Sequence, residues 1–440
     1  MRTFYLETFG CQMNEHDSEK VAGLLEAQGY RRVETPQEAG LVLYNTCSIR
    51  EKAERKAFSR LAEFRRRANG KLFGVLGCVA QRRGQEIFGR APHVGLVCGP
   101  ASYARLPEML VRLEAGERRV TGLDLDAPGA FETPLIRRDS PFRAYLTIVE
   151  GCDKSCAYCV VPSARGRQRS RSSAAVLAEA RQLAGQGYTD LQLLGQNVNC
   201  YHDPSETGCD FVTLLARVAE IPGLRRVRFT TSHPRDFVRE TVAAIDSNPA
   251  LADHIHLPVQ SGSTRVLARM QRLYTREEYL ERIRWIRGAR RTIAVSTDII
   301  VGFPGETAAD FAETLSLLEE VQFDSIFSFK YSPRSGTPAL ALDGQVPEEE
   351  KGQRLAVLQA RQRVIQTRRH AGLVGAFHEV LVEGYNEATG QWIGRTSQNR
   401  VLNFTSSDGQ RDSLLGRYVQ ARVTRAGPNA LAGERLENLM

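Results

Sequence analysis

Three cysteines stand close together in the segment GCDKSCAYC. Cys152, Cys156 and Cys159 are spaced by four and three positions, and the segment supplies no fourth thiol. A structural zinc ion takes four ligands, usually as two pairs. A [4Fe–4S] cluster offers four iron corners to thiolates, so three cysteines would leave one iron open to a small molecule. The spacing therefore favours an open catalytic cluster, with a zinc ion completed by water, His202 or Cys209 as the alternative.

Three further cysteines each follow a predicted strand near the N-terminus. Cys11 comes after TFYLETFG, Cys47 after LVLYNT and Cys78 after KLFGVLG, with amphipathic segments between them. This alternation predicts a small parallel sheet. The carboxyl ends of such strands share one edge, where open α/β sheets bind ligands. The three thiols are therefore predicted to converge, and Gly10 and Gly77 let the backbone approach a bulky group.

A longer alternation of strands and helices begins near residue 143. Its six predicted strands are 143–150, 191–195, 226–231, 254–259, 293–301 and 325–331. Six parallel units predict an incomplete form of the eight-unit β/α barrel, whose active face lies at the carboxyl ends of the strands. The GCDKSCAYC segment follows the first strand and so belongs to that face.

The last part of the chain shows short alternating strands separated by turn signals. This pattern predicts a small all-β barrel. Basic groups near aromatic side chains suit an RNA backbone and exposed bases, although a solvated charged face explains the arginines equally well. The candidate RNA-binding residues are Arg395, Arg400, Arg417 and Arg422, with Trp392, Phe404 and Tyr418 nearby.

The predicted fold class is therefore α/β, with a parallel-sheet domain, a partial barrel of six units and an all-β barrel. The predicted domain limits are 1–120, 138–370 and 373–438, and residues 101–142 are interpreted largely as a linker. The formal charge of +8 favours a polyanionic partner. Nine cysteines are too few and too sparse for a disulfide scaffold, and no apolar run is long enough for a membrane span. A soluble, cytoplasmic protein is expected.

The cysteine spacing, with an aromatic residue before the last thiol, resembles the signature of the radical S-adenosylmethionine enzymes. Segments such as TFGCQMNEHDSE, NTCSIREKAERKA, VVPSARGRQRSR and TDIIVGFPGET extend the likeness over essentially the whole chain to the methylthiotransferases. Within that family the likeness is strongest to the enzymes that modify an isopentenylated tRNA adenosine. The chain departs from the usual pattern at Ser163 and Ala164, where Tyr-Thr is frequent, and at Gln168, where glutamate is frequent.

The resemblance implies two [4Fe–4S] clusters and S-adenosylmethionine as cofactors. One cluster is expected on Cys152, Cys156 and Cys159, with S-adenosylmethionine on its open iron. The auxiliary cluster is expected on Cys11, Cys47 and Cys78, and it would carry the sulfur that is transferred. The expected cofactor contacts, by their positions in the motif or after barrel strands, are Tyr158, Gln196, Ser232, Gln260 and Phe303.

The activity that the resemblance implies is addition of a methylthio group to carbon 2 of isopentenyladenosine beside a tRNA anticodon. The expected partners are the tRNA anticodon stem-loop, bound in part by a TRAM-like C-terminal domain, and an electron donor such as flavodoxin or ferredoxin. The chain is expected to act as a monomer. One alternative is a methylthiotransferase for threonylcarbamoyladenosine in tRNA or for a ribosomal protein aspartate. An alternative of another class is a non-catalytic protein that binds zinc and RNA.

Overall fold

The computed structural model describes residues 2–48, 51–64, 70–126, 135–406 and 414–436. A parallel-sheet domain is followed by a six-unit partial barrel and then by a closed barrel of five strands, so the predicted fold class is confirmed. Among the described helices, none combines the length and the apolar character needed to cross a membrane.

The N-terminal domain is a six-stranded parallel sheet with helices on both faces. Its strands are β1 (Thr3–Phe9), β2 (Arg31–Arg32), β3 (Leu41–Thr46), β4 (Leu72–Leu76), β5 (Leu96–Cys98) and β6 (Val120–Gly122), and its helices are α1 (Gln12–Ala27), α2 (Glu51–Glu63), α3 (Cys78–Arg83), α4 (Glu86–Arg90) and α5 (Leu106–Glu114). The strand order is β2-β1-β3-β4-β5-β6. Alternate residues of β3 belong to the two hydrophobic cores on opposite faces of the sheet. Leu41 and Leu43 pack towards α1 and α5, and Val42 and Tyr44 pack towards α2.

The interpretation of residues 101–142 as a linker is wrong for its first half. A 3-10 turn at Pro100–Arg105, then α5 and β6, complete the N-terminal sheet. The strands β2, β5 and β6 add to the three that the sequence predicts. Each has only two or three residues, which is too short to show a period of alternation. Residues 127–134, which belong to the predicted linker, lie outside the described residues.

The central domain contains all six predicted barrel strands. Its elements are β7 (Arg143–Thr147), β8 (Val149–Glu150), α6 (Val161–Arg165), β9 (Arg169–Ser170), α7 (Ser173–Gly185), β10 (Asp190–Leu194), α8 (Phe211–Ala219), β11 (Arg226–Phe229), α9 (Arg239–Ser247), β12 (His254–His256), α10 (Thr264–Arg269), α11 (Arg276–Arg287), β13 (Ala294–Val301), α12 (Ala308–Val321), β14 (Ser325–Lys330) and α13 (Glu348–Ala371). The parallel groups β7-β10-β11 and β12-β13-β14 are joined by a parallel bridge from Val227 to Leu251. The barrel is therefore open between β7 and β14.

The C-terminal domain is a closed barrel that docks on the amino end of the central one. Its strands are β15 (Phe377–Asn386), β16 (Gln391–Thr396), β17 (Val401–Thr405), β18 (Tyr418–Ala426) and β19 (Leu431–Arg435), in the order β15-β16-β17-β19-β18. Arg226, at the start of β11, donates to the Arg395 carbonyl at 2.8 Å, and the Asp253 amide donates to Ser397 Oγ at 2.9 Å. The opposite end of the barrel, where the strands finish, faces the N-terminal domain.

Candidate active site between two cysteine sets

The sheet triad, Cys11, Cys47 and Cys78, lies at the carboxyl edge of the N-terminal sheet. Its members follow β1, β3 and β4, which are adjacent strands, and the structure brings them together. Both predicted glycines lie in close contact with this edge. A Cβ on Gly10 would come within 2.7 Å of Cys47 Cβ. Gly77 has φ +86°, and a Cβ there would lie 2.3 Å from the Asn45 side chain.

The surroundings of the sheet triad favour the thiolate form of Cys11. A hydrogen bond with Cys47, the charge of Arg165 and the backbone N–H groups of Asn14 and Met13 lower the pKa of Cys11 to about 6, against the effect of burial. Burial raises the pKa of Cys78, and the Arg165 guanidinium opposes that effect. The thiolate is the form of cysteine that binds metals.

The barrel triad, Cys152, Cys156 and Cys159, lies in the loop that follows β8. Gly151 gives this loop its turn, with φ +74° and no room for a Cβ, which would lie 2.0 Å from the Arg167 carbonyl. The Gly151 amide donates to Gln196 Oε1 at 2.6 Å, so Gln196 holds the start of the loop. Backbone amides point at two of the sulfurs, since Lys154 N lies 3.5 Å from Cys152 Sγ and Val161 N lies 3.4 Å from Cys159 Sγ.

Arg272 is a buried cation beside the barrel triad that sequence reasoning missed. Its Nη1 donates to Cys156 Sγ at 3.4 Å, and its Nη2 donates to the Pro258 carbonyl at 2.8 Å. Burial raises the pKa of Cys152, and it raises the pKa of Cys159 to about 12, so these two thiols stay protonated until a cation binds them. The segment LARMQRLY gives no sign that one of its arginines is buried next to sulfur.

The sulfur positions suit a group larger than one zinc ion. Zinc–sulfur bonds of about 2.3 Å keep the sulfurs of a zinc site within about 4.6 Å of one another. In the described ranges, one set of three residues has its possible ligand atoms within 4.8 Å of one another, and that set is Asp203, Glu206 and Cys209. Neither cysteine triad meets that limit. Cys209 therefore belongs with those carboxylates, and neither triad is already gathered closely enough for one zinc ion; three thiols and no fourth are the donor set of an open [4Fe–4S] cluster.

A cavity of about 210 Å³ opens beside the barrel triad. Its lining residues are Asp153, Lys154, Ser155, Gln168, Cys200, His233, Arg235, Gln271, Arg272 and Leu273. His233 Nδ1 accepts from the Arg235 amide at 3.2 Å, and within the described ranges its buried Nε2 has no hydrogen-bond partner. Burial lowers the pKa of His233 to about 2. The neutral ring therefore carries its proton on Nε2 and offers one N–H to a ligand.

Two residues at the ends of barrel strands hold a left-handed backbone. Thr231 after β11 and Gln260 after β12 both have φ +72°, which is rare for a β-branched residue such as threonine. Strain of this kind concentrates at functional sites. Gln260 was predicted from the sequence and Thr231 was not, because residue type carries no signal for its conformation. Ser232 beside it is buried, and its Oγ has no partner among the described residues.

Phe303 supports Tyr158 from behind and does not line the cavity. Its ring is fully buried and meets Tyr158 edge-on, with 6.4 Å between ring centres, and Tyr331 on its other side. Ala157, just before Tyr158, is held by backbone hydrogen bonds with Met270 and Ala339. The cofactor roles of Tyr158 and Phe303 stay predictions.

The four candidate RNA-binding arginines fall into two groups. Arg395 pairs with Glu383 at 2.9 Å, and Arg400, only 9% exposed, pairs with Asp324 at 2.5 Å. The Arg400 pair joins the C-terminal domain to the central barrel, whereas the Arg395 pair lies within the C-terminal domain, since Glu383 belongs to β15. Arg417 and Arg422 are exposed.

The aromatic residues predicted beside the arginines do not face solvent. Trp392 and Phe404 fill the core of the small barrel, and Tyr418 lies under Arg225 and Arg226 at the docking surface. The expected cluster of aromatic and basic groups is therefore absent among these residues. Alternation in a strand shows that one face is apolar and does not show whether that face meets a core or a ligand.

Buried charges on α1 join the N-terminal domain to the barrel, and sequence reasoning missed them. Asp17 pairs with Arg165 at 2.5 Å, and Lys20 lies 3.7 Å from Glu150. All four side chains are buried, which is tolerated because each charge has a partner. The run NEHDSEK has no feature that separates it from a solvent-exposed helix face.

Helix α6 leads from the barrel triad to the sheet triad. It begins two residues after Cys159 and ends at Arg165, a length of about 8 Å. Helix α3, whose first residue is Cys78, packs against it. The edge of the N-terminal sheet therefore faces the mouth of the barrel, with α6 between the two cysteine sets.

Known proteins resemble this chain both domain by domain and over its length. The family described as Uncharacterized protein family UPF0004 matches residues 3–99, the Radical SAM superfamily matches residues 146–318 and the TRAM domain matches residues 373–436. A protein of Solibacter usitatus named tRNA-2-methylthio-N(6)-dimethylallyladenosine synthase is 66% identical over 98% of this chain and 98% of its own length. The chain belongs to this synthase family. A synthase of the same name from Koribacter versatilis is 59% identical over the same shares.

Membership in the synthase family confirms the resemblance found in the sequence motifs. Among solved structures, the radical S-adenosylmethionine methyltransferase TsrM from Kitasatospora setae matches with a TM-score of 0.55 and 16% identity, over 77% of this chain and 75% of that one. At that identity the likeness concerns the fold alone, and it agrees with the arrangement described above.

Proposed function

We propose that this protein is an enzyme that adds a methylthio group to carbon 2 of N6-dimethylallyladenosine in tRNA, by radical S-adenosylmethionine chemistry. One observation carries the proposal: in a chain of the synthase family, the sheet triad and the barrel triad face each other across α6. Hydrogen at that carbon is unactivated, so its replacement needs a radical and a nearby source of sulfur. Two metal-binding sets on facing edges supply both requirements.

Two [4Fe–4S] clusters and S-adenosylmethionine are the cofactors of this activity. We assign one cluster to the barrel triad and the other to the sheet triad. When bound, the first supplies reductive cleavage of S-adenosylmethionine to a radical that takes hydrogen from carbon, and the second supplies sulfur. Neither step requires a proton from the protein at the reacting carbon.

The side chains around the barrel triad hold and orient what binds there. Arg272 places a fixed positive charge against Cys156, which stabilises anionic sulfur. Gln196 fixes the loop through the Gly151 amide. The neutral His233 and Gln168 line the same cavity, and the Gln168 amide donates to the Cys200 carbonyl at 2.9 Å. Gln168 therefore acts by hydrogen bonding at the position where related sequences often have an acid.

The substrate tRNA is expected to meet the C-terminal domain as well as the cysteine sets. The charge of +8 and the exposed Arg417 and Arg422 support contact with phosphates. Recognition of the anticodon stem-loop, reduction by a flavodoxin or ferredoxin, a monomeric state and a cytoplasmic location remain proposals that follow from the sequence resemblance.

The test is mass spectrometry of tRNA nucleosides from cells that lack this activity and express the protein. The methylthio derivative of N6-dimethylallyladenosine should appear with the intact chain and disappear with Cys152→Ala. Cys11→Ala should also abolish it, while the purified variant still cleaves S-adenosylmethionine under reducing conditions.

Cys98→Ala is the matched control, because Cys98 is a buried thiol at the end of β5 on the same sheet. It should leave the product in place. Normal product from Cys152→Ala would overturn the radical assignment. Normal product from Cys11→Ala would overturn the sulfur-donating role of the sheet triad.

A further inference from the structure

Arg165 connects the two cysteine sets and is almost fully buried, at 5% exposure. It ends α6, six residues after Cys159, and its Nη2 donates to Asp17 Oδ2 at 2.5 Å. Asp17, on α1, is 1% exposed. A cation from the barrel domain is thus held in the interior of the interface with the N-terminal domain.

The other terminal nitrogen of Arg165 lacks a hydrogen bond of good geometry, although the guanidinium interacts with the Cys78 thiol. Nη1 is buried and, within the residues that the structure describes, makes no hydrogen bond. A buried donor without an acceptor is destabilising, so its presence calls for an explanation. The guanidinium lies against Cys78 at the start of α3, which packs on α6. The guanidinium is therefore next to the place where the sheet triad would hold its ligand.

A structural ion pair does not explain this geometry. Arg138 is buried in the same interface, and its nitrogens are used: Nη1 donates to the Tyr145 carbonyl at 2.5 Å and to Glu19, and Nη2 donates to Glu179 at 2.9 Å. Arg165 could have been satisfied in the same way if its task were docking alone. Arg165 instead leaves one buried N–H without a good acceptor, and its guanidinium lies beside the Cys78 thiol.

We propose that Arg165 is a positioning residue whose Nη1 donates a hydrogen bond to the anionic sulfur group held by Cys11, Cys47 and Cys78. This inference rests on the proposed function, in which that group is the auxiliary cluster and the sulfur it carries. Hydrogen bonds to cluster sulfur and nearby positive charge stabilise the more reduced state and raise the reduction potential. Arg165 therefore sets the potential and fixes the orientation of the sulfur that faces the barrel.

The experiment measures the potential of the auxiliary cluster by redox titration followed by electron paramagnetic resonance. Full-length protein with Cys152→Ala, Cys156→Ala and Cys159→Ala is reconstituted so that only the sheet-triad cluster is present. In this background Arg165→Gln should shift the midpoint potential of the auxiliary cluster to a more negative value and change its electron paramagnetic resonance signal. Arg165→Lys, which restores the charge, should recover part of the shift.

Two further variants keep the test decisive. Asp17→Asn removes the counter-charge and leaves Arg165, so the potential should shift in the opposite direction, to a more positive value. Arg138→Gln, the matched control, should weaken docking and leave the potential unchanged. An unchanged potential in Arg165→Gln overturns the inference, and if that variant fails to fold, an unchanged potential in Asp17→Asn overturns it. Absence of iron from the unsubstituted sheet triad would instead overturn the proposed function.

Discussion

Each cysteine set has one buried arginine against it. Arg272 donates to Cys156 in the barrel triad, and Arg165 lies against Cys78 in the sheet triad. A cluster ligated by three thiolates is an anion in a site of low dielectric constant, where a fixed cation has a large effect. Under the proposed assignment of one cluster to each set, the two arginines give the protein separate control over two chemically similar groups.

Replacing Arg272 should weaken the site that it supports. Arg272→Met removes the hydrogen bonds to Cys156 and to the Pro258 carbonyl, and we expect a loss of about 2–4 kcal/mol in the stability of the loop. Iron retention should fall, and the potential of the barrel cluster should become more negative. Iron analysis and redox titration in a Cys11→Ala, Cys47→Ala, Cys78→Ala background measure both.

Arg269→Met is the matched control for Arg272. Arg269 lies three residues earlier and is more exposed, and it bonds Asp343 and the Pro304 carbonyl, away from the cysteines. It should retain iron and leave the potential unchanged. Equal behaviour of the two variants would contradict a specific role of Arg272.

Glu19 should make the docking of α1 depend on pH. Burial raises the pKa of Glu19 to about 7, although Arg138 opposes the effect. Because this folded-state pKa lies above the unfolded value, the stability that Glu19 contributes is complete at low pH and is lost as pH rises to about 7. The change amounts to at most about 3 kcal/mol, at about 1.4 kcal/mol for each pH unit between the two pKa values.

Amide hydrogen exchange in α1, corrected for its intrinsic pH dependence, measures this effect. Protection should fall between pH 5 and pH 8, and Glu19→Gln should flatten the fall. Glu26→Gln, at the C-terminal end of the same helix and 34% exposed, should keep the dependence of the unsubstituted protein. A dependence that survives Glu19→Gln would assign the titration to another group.

The cysteine sets could be predicted from the sequence because their positions obey local rules, and their arginine partners could not. Spacing within one loop defines the barrel triad, and the end of a strand defines each member of the sheet triad. Arg165 and Asp17 are 148 positions apart, and only tertiary packing brings them together. Neither residue type nor periodicity carries information about that pairing.

At the scale of elements, the junction between a strand and the next helix is the recurring unit of both sites. Cys11 and Cys78 stand at such junctions, at the starts of α1 and α3, where the positive end of the helix dipole favours a thiolate. Long strands of five or more residues were predicted correctly because apolar runs bounded by turn residues identify them. The strands β2, β5 and β6 were not predicted, because each has only two or three residues and is stabilised by pairing with neighbouring strands.

Asp324 is expected to hold three elements together at the amino end of the barrel. It precedes β14 and accepts hydrogen bonds from Arg369 of α13 at 2.8 Å, from Arg400 at 2.5 Å and from the Val295 amide at 2.9 Å. Asp324→Asn leaves the buried Arg400 and the partly exposed Arg369 without their counter-charge, which should cost about 3–5 kcal/mol, mostly through Arg400.

Limited proteolysis between α13 and β15 tests the role of Asp324. Cleavage there should become much faster in Asp324→Asn because the C-terminal domain loosens. Glu379→Gln is the control, since Glu379 serves Arg225 across the same junction but is 40% exposed. Glu379 also pairs with the buried Arg226, but it stays open to solvent, so the effect of Glu379→Gln should be clearly smaller than that of Asp324→Asn. If Asp324→Asn resists proteolysis as well as the control does, docking of the C-terminal domain depends on other contacts.

At the scale of the whole molecule, the two ends of the central barrel are covered by different domains. The N-terminal sheet faces the strand ends that carry the barrel triad, and the C-terminal domain covers the opposite end through Arg226, Arg228 and Asp253. Deleting the C-terminal domain would expose these buried polar groups and destabilise the barrel. A loss of RNA binding in a truncated protein would therefore not distinguish lost contacts from lost stability. Point substitutions on its outer surface avoid that difficulty.

Arg417 and Arg422 should carry part of the electrostatic affinity for tRNA. Both are exposed, and among the described residues neither forms an ion pair. Each phosphate that they neutralise releases counterions, so Arg417→Ala with Arg422→Ala should weaken binding and reduce the slope of log K against log salt by about 2. Filter binding or fluorescence anisotropy with full-length tRNA across a salt series gives the slope.

Arg361→Ala with Arg363→Ala, on the exposed face of α13, removes the same charge elsewhere and should change the slope little. Equal slopes for the two double variants would mean that net charge, and not contact by the C-terminal domain, attracts the RNA.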